Sequence, residues 1–386
     1  MRVKLSRRGR WAVPATALAV IGGVIAGLAI PAAQASPALP ARTPAQLLAQ
    51  VAADAKVPPL TGTVVETTSL GLPALPQAAD PTSLSSLITG SHKVNVYYEN
   101  AQHFRLQVPQ TMSESDVIRD GNKLWLWESS NNSVTEYTWA KGTFKHAEKP
   151  PSGPVLTPQQ AANEILKATG KTTVVSVQAN ALVAGEPAYQ LVLAPKDHRS
   201  LIGKVVIAVD GKYGFPLQVQ VFAKGAKSPA FQVGYTQIAF VTPDPANLTF
   251  TPPPGATVKH VNLGTRHPMA AGGSMPQTPA GVGTYGSNWL TVVSFSQQDL
   301  TSSFGTGAAS SPPPASSSSG MGAIGGDAQE VLNALIGSAK PVHGSWGSGT
   351  LLQTSLVSIL MTGGQVYVGA VQPSVLEAAV GHTTAG

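Results

Sequence analysis

The chain has no cysteine. Disulfides, thiolate metal sites and cysteine nucleophiles are thereby excluded, and so is the thioether anchor that bacterial lipoproteins carry on an N-terminal cysteine. Charge is nearly as scarce. Asp, Glu, Lys and Arg make up 11% of the 386 residues, against about a quarter in an average globular protein. Catalytic motifs are missing too. There is no H-E-x-x-H pair and no G-x-S-x-G elbow, and the eight histidines are scattered from position 92 to 382. "GVGTYG" at 281–286 has the letters of a dinucleotide fingerprint, but a Gly/Pro-rich stretch precedes it and the strand-like "NWLTVV" follows. That motif needs a strand before it and a helix after it. "TGKTT" at 169–173 fails as a P-loop, because Ile165 stands where the first glycine must be. No cofactor, no metal and no enzymatic activity are expected. The remaining catalytic option is a hydrolase whose carboxylates converge from distant strands.

What the chain does have begins with an export segment. Arg2, Lys4, Arg7, Arg8 and Arg10 form a basic head, Trp11 to Ala33 carries no charge, and "AQA" at 33–35 offers a cleavage site. Residues 1–35 read as a signal peptide or, if retained, as an N-terminal membrane anchor with its helix at 11–33. Either way the body of the chain is expected outside the cytoplasm. The net charge of +6 belongs to this segment. Five of the 25 basic residues lie in it, leaving 20 against 19 acids. A near-neutral body gives no electrostatic case for nucleic acid.

Beyond it, "TPAQLLAQVAADAK" at 43–56 opens Thr-Pro and places Leu47, Leu48, Val51 and Ala52 on one helical face. "TPQQAANEILKAT" at 157–169 predicts a second helix with Ile165 in its apolar stripe. Elsewhere the period is two. Val94, Val96 and Tyr98 alternate with polar neighbours, as do Phe104, Leu106 and Val108, then Leu191 and Leu193, then Val219 and Val221. Such alternation predicts antiparallel strands with one buried face. In "AFQVGYTQIAF" the pattern slips between Tyr235 and Ile238. Residues 263–286 read as a Gly/Pro-rich linker. Residues 287–380 read as a small α/β module with a Ser/Pro-rich disordered insertion at about 301–326, a helix at 327–337 and a hairpin at Gly363-Gly364. The pattern alone leaves two architectures open: a sheet whose side chains fill its own interior, or one too large to do so that leaves room for an apolar ligand.

Four segments, in order, resemble the LolA/LolB-like superfamily of lipoprotein carriers and RseB-type regulators. They are "VIRDGNKLWLWESSNNSVTEY" (117–137), "GEPAYQLVLAPKD" (185–197), "VVIAVDGKYGFPLQVQVF" (205–222) and "FVTPDPANLTFTPPPGATV" (240–258). The resemblance implies a mainly β, α+β fold, a half-open antiparallel β-barrel with a helical lid, over about 36–262. It implies binding or carriage of lipid or lipoprotein acyl chains in an apolar cavity. The RseB-like alternative is an envelope-stress regulator whose partner is a membrane-anchored anti-sigma factor. The expected lining is Val94, Val96, Phe104, Leu106, Leu124, Leu126, Leu191, Leu193, Val219 and Val221, with lid contacts from Leu47, Leu48, Val51 and Ile165. Trp125 and Trp127 alternate with the leucines of "KLWLWE". They either form a ligand wall themselves or mark a strand covered on both faces. Asp120-Gly121 reads as turn chemistry and not as a catalytic acid. In one respect the chain departs from the family: Glu99 and Asn100 stand where carriers often have a basic residue and proline, so no latch arginine is assigned.

Overall fold

The computed structural model describes residues 39–52, 57–71, 89–110, 112–140, 171–263, 282–297 and 337–383. The expected export segment at 1–35, the expected helix at 157–169 with Ile165, the expected insertion at 301–326 and the expected helix at 327–337, but for Gly337, lie outside them.

The chain opens with helix α1 (Pro44–Ala52). Its start is a reciprocal cap: Gln46 N donates to Thr43 Oγ1 at 3.2 Å and Thr43 N donates to Gln46 Oε1 at 2.8 Å, satisfying two donors that the first turn would leave unpaired. Twelve strands then follow, most of them paired with their sequence neighbours. They are β1 (Leu60–Ser69), β2 (Thr89–Asn100), β3 (His103–Pro109), β4 (Glu114–Asp120), β5 (Lys123–Glu128), β6 (Ser133–Thr138), β7 (Thr173–Val183), β8 (Glu186–Pro195), β9 (Ile202–Asp210), β10 (Pro216–Ala223), β11 (Phe231–Ala239) and β12 (Thr257–Asn262). They form one sheet in the order β12-β6-β5-β4-β3-β2-β1-β11-β10-β9-β8-β7. Every neighbouring pair is antiparallel except β12 with β6, which is parallel. The sheet is not closed; β12 and β7 are its edges. This is the large antiparallel sheet expected of a half-open barrel. The slip in "AFQVGYTQIAF" is a β-bulge: Thr63 pairs Gln237 while Val64 pairs Tyr235, which leaves Thr236 extra.

A second sheet has the order β13-β14-β18-β17-β16-β15. Its strands are β13 (Gly283–Tyr285), β14 (Val292–Ser296), β15 (Lys340–Gly344), β16 (Gly347–Gln353), β17 (Ser358–Thr362) and β18 (Gln365–Gly369), followed by helix α2 (Pro373–Thr383). β13 lies inside the stretch read as linker; Tyr285 pairs with Val292 of β14 and packs beside Tyr367. The glycine letters at 283–286 thus sit on an edge strand and a turn. Gly363 and Gly364 both take positive φ, 56° and 73°, in the β17–β18 turn, the backbone that a two-residue hairpin demands. α2 buries Leu376, Ala379 and Val380 against Val292, Leu360 and Tyr367.

The second sheet is docked on the first. Leu201 N donates to Ala370 O at 2.9 Å, Gln372 N to Arg199 O at 2.7 Å and Ser355 N to Leu70 O at 2.9 Å. Leu356 packs between Ala223 and Ala230. Trp289, just ahead of β14, joins the first sheet's core and donates from Nε1 to Thr173 Oγ1 at 2.7 Å.

Candidate functional site

Cross-strand register sorts the first sheet into two faces. On the inner face one row runs Leu60, Tyr98, Phe104, Arg119, Leu124, Tyr137 and Val261 across seven strands. The next row runs Gly62, Val96, Leu106, Val117, Leu126, Thr135 and Lys259. Toward the other edge the same face carries Val233, Val219, Ile207, Leu191 and Val177.

These two halves differ in burial. Leu191, Leu193 and Val219 are completely buried, as is Leu47 of α1, with Val51 at 1% exposure. They pack on one another and on Trp289 in one cluster, with Leu48 and Val221 at its margin. This half is a filled core. Val94, Val96 and Phe104 are also buried. Beyond them Leu106, Val117, Leu124, Leu126 and Tyr137 are only half-buried. The expected lining is therefore split: one part is sealed, and the part on β3 to β6 is an apolar surface continuous with the core.

The tryptophans belong to the opposite face from Leu124 and Leu126. Trp125 pairs with Ile118, and both are buried with Val134. Phe250, from the segment that returns from β11 to β12, lies 6.0 Å from the Trp125 ring and 5.8 Å from Trp127. Period-two alternation forces this: if Leu124 and Leu126 point inward, Trp125 and Trp127 cannot. The strand is covered on that face by residues that "KLWLWE" alone could not reveal.

Next to Trp127 on the outer face lies Asp116, 2% exposed. Arg105 donates to its Oδ2 from Nε at 2.8 Å and also from an Nη nitrogen. Asp116 Oδ1 and Trp127 Nε1 are buried without a hydrogen-bond partner among the described residues. Burial pushes the Asp116 carboxyl up to about 6, outweighing the pull of Arg105. Glu136, on the same face, is held below the usual carboxylate range by its hydrogen bond from Lys123, opposed by burial and helped by His260. Asp120 ends β4 and meets His103 Nε2 at 3.4 Å in a cleft of about 220 Å³ beside Pro243 and Leu248. Both groups are more than a third exposed, so the contact contributes little. Buried Asp210 accepts from Lys212 N and Tyr213 N and is a turn residue. Among the described residues no cluster of His, Asp and Glu is arranged to hold a metal.

Sequence reading missed Val117, Arg119 and Tyr137. The signal of the first two was weak because "SDVIRD" carries apolar residues on both parities.

No family model matches the chain, and no curated protein matches it. Solved structures do. The Pseudomonas aeruginosa MucA/MucB complex gives a TM-score of 0.40 at 12% identity, covering 87% of this chain and 96% of that chain. A LolA superfamily protein from Nitrosomonas europaea gives 0.22 at 14% identity, covering 54% and 99%. A putative outer membrane lipoprotein-sorting protein domain from Vibrio parahaemolyticus gives 0.18 at 10% identity, covering 51% and 90%. The solved structures to which this chain is similar thus include MucB and a LolA-superfamily protein.

Proposed function

We propose that this protein binds the acyl chain of a lipid or lipoprotein outside the cytoplasm. The chain would lie along the inner face over β3 to β6, and the protein would act as a carrier. One observation carries the reading: Leu106, Val117, Leu124 and Leu126 form a half-buried apolar surface that runs into a sealed core. An acyl chain laid there gains about 0.8 kcal/mol per buried methylene, so an ordinary chain reaches micromolar affinity after ordering costs. The buried residues on β8 and β10 serve as the wall behind it.

Displacement of a fluorescent fatty acid tests this. Leu126→Glu places a charge in the path of the chain and is expected to weaken binding about tenfold or more, since a carboxylate forced into apolar contact costs well over 1 kcal/mol. Ser176→Glu, at an exposed position of β7, is expected to bind as the parent does. Equal affinities for the two variants would remove β3–β6 as the site.

A second reading, a regulator that binds a membrane-anchored anti-sigma factor, is favoured by the docked second sheet, because RseB-like proteins pair such a module with the large sheet. Under it the second sheet presents the partner surface, and deleting residues 282–383 abolishes partner binding.

A further inference from the structure

We propose that Arg119 is the headgroup contact of this site, so that the amphiphile bound along β3–β6 is anionic, with a phosphate or carboxylate at its polar end. The inference rests on the acyl-binding reading and specifies its ligand.

Arg119 is the single charge in a cross-strand row otherwise made of Leu60, Tyr98, Phe104, Leu124, Tyr137 and Val261. Its guanidinium lies 5.2 Å from the centroid of the Trp139 ring, and among the described residues its one hydrogen bond runs from Nε to Gly121 O at a long 3.4 Å. Among the described residues no carboxylate comes within ion-pair reach of it. Glu128, the acid on the same face of β5, sits at the strand's far end and accepts from Ser115 Oγ at 2.6 Å. Burial lowers the Arg119 pKa from its ordinary value. A partly desolvated, uncompensated guanidinium at the edge of an apolar surface binds an oxyanion through its free donor edge, and the fork geometry suits phosphate or carboxylate. The aromatic side chain stacked on it fixes the plane of the fork.

The test uses four probes with the chain starting at residue 36: decyl phosphate, decanoate, decanol and inorganic phosphate, each titrated calorimetrically. The parent is expected to bind both anionic amphiphiles about tenfold or more tightly than decanol, the range for a charge-assisted hydrogen bond. Arg119→Gln is expected to lose that preference and keep its decanol affinity; Arg119→Lys keeps part of the preference, and its melting curve shows whether the site stays folded. Inorganic phosphate alone is expected not to bind at millimolar concentration. If decanol binds the parent as tightly as decyl phosphate, or if Arg119→Gln leaves the preference intact, the headgroup assignment falls while acyl binding stands. If inorganic phosphate binds as well as decyl phosphate, or if no amphiphile binds, the acyl reading falls as well.

Discussion

Replacing Arg105 with methionine is expected to cost about 3–5 kcal/mol of folding stability at pH 7.5, the range for stranding one partner of a buried ion pair. Asp116 has a fully buried side chain, and among the described residues the guanidinium is its only cationic partner. Oδ1 already lacks a donor among the described residues, so the carboxylate depends on Arg105. Proton linkage gives the effect a signature. In the parent protein the folded carboxyl sits at about 6, above its unfolded value. The native state therefore holds the extra proton between pH 4 and 6, and stability falls as pH rises through that window, by on the order of 3 kcal/mol. Without Arg105 the folded value rises further, so acidification neutralises the stranded charge. The deficit of Arg105→Met relative to the parent is thus expected to shrink between pH 7.5 and pH 5, as read by urea denaturation at both. Arg105→Met combined with Asp116→Leu is expected to recover most of the loss at pH 7.5. A deficit independent of pH would show that packing, and not charge, accounts for the cost.

Trp289→Ala is the second large effect, expected at about 3–5 kcal/mol from the cavity left by a core indole. Trp289 is 8% exposed and is planted in the first sheet's core by the segment that leads into β14. Its loss also orphans Thr173 Oγ1, which accepts from Nε1. Because β14 starts three residues later, the damage should spread to the second sheet, with amide exchange rising in β13 and β14. Trp289→Phe keeps most of the volume and forfeits the hydrogen bond, for about 1 kcal/mol. If alanine and phenylalanine cost the same small amount, Trp289 is not what holds the two sheets together.

Much of this architecture was legible from local pattern. Alternation identified the strands holding Leu106, Leu191 and Val219, the slip after Tyr235 marked a real bulge, and Thr43-Pro44 marked a real helix start. What was not legible depends on contacts distant in sequence. "KLWLWE" is apolar on both parities, so only Phe250 from the far side of β11 shows which face the tryptophans cover. Likewise Leu124 and Leu191 look alike in sequence, yet one is half-buried and the other sealed. Among the described residues, α1 and Trp289 pack on the half that holds Leu191. Helix α2 went unread because "PSVLEAAVGHT" is rich in small and β-branched residues and has little amphipathic contrast.

The central claim is that the inner face over β3 to β6 holds an acyl chain. It is tested most directly by purifying the protein from cells that express it, extracting it with organic solvent and analysing the extract by mass spectrometry. The account predicts an anionic amphiphile near one per chain, much reduced in Leu126→Glu. An extract free of lipid, from protein that also takes up no fluorescent fatty acid, would contradict it.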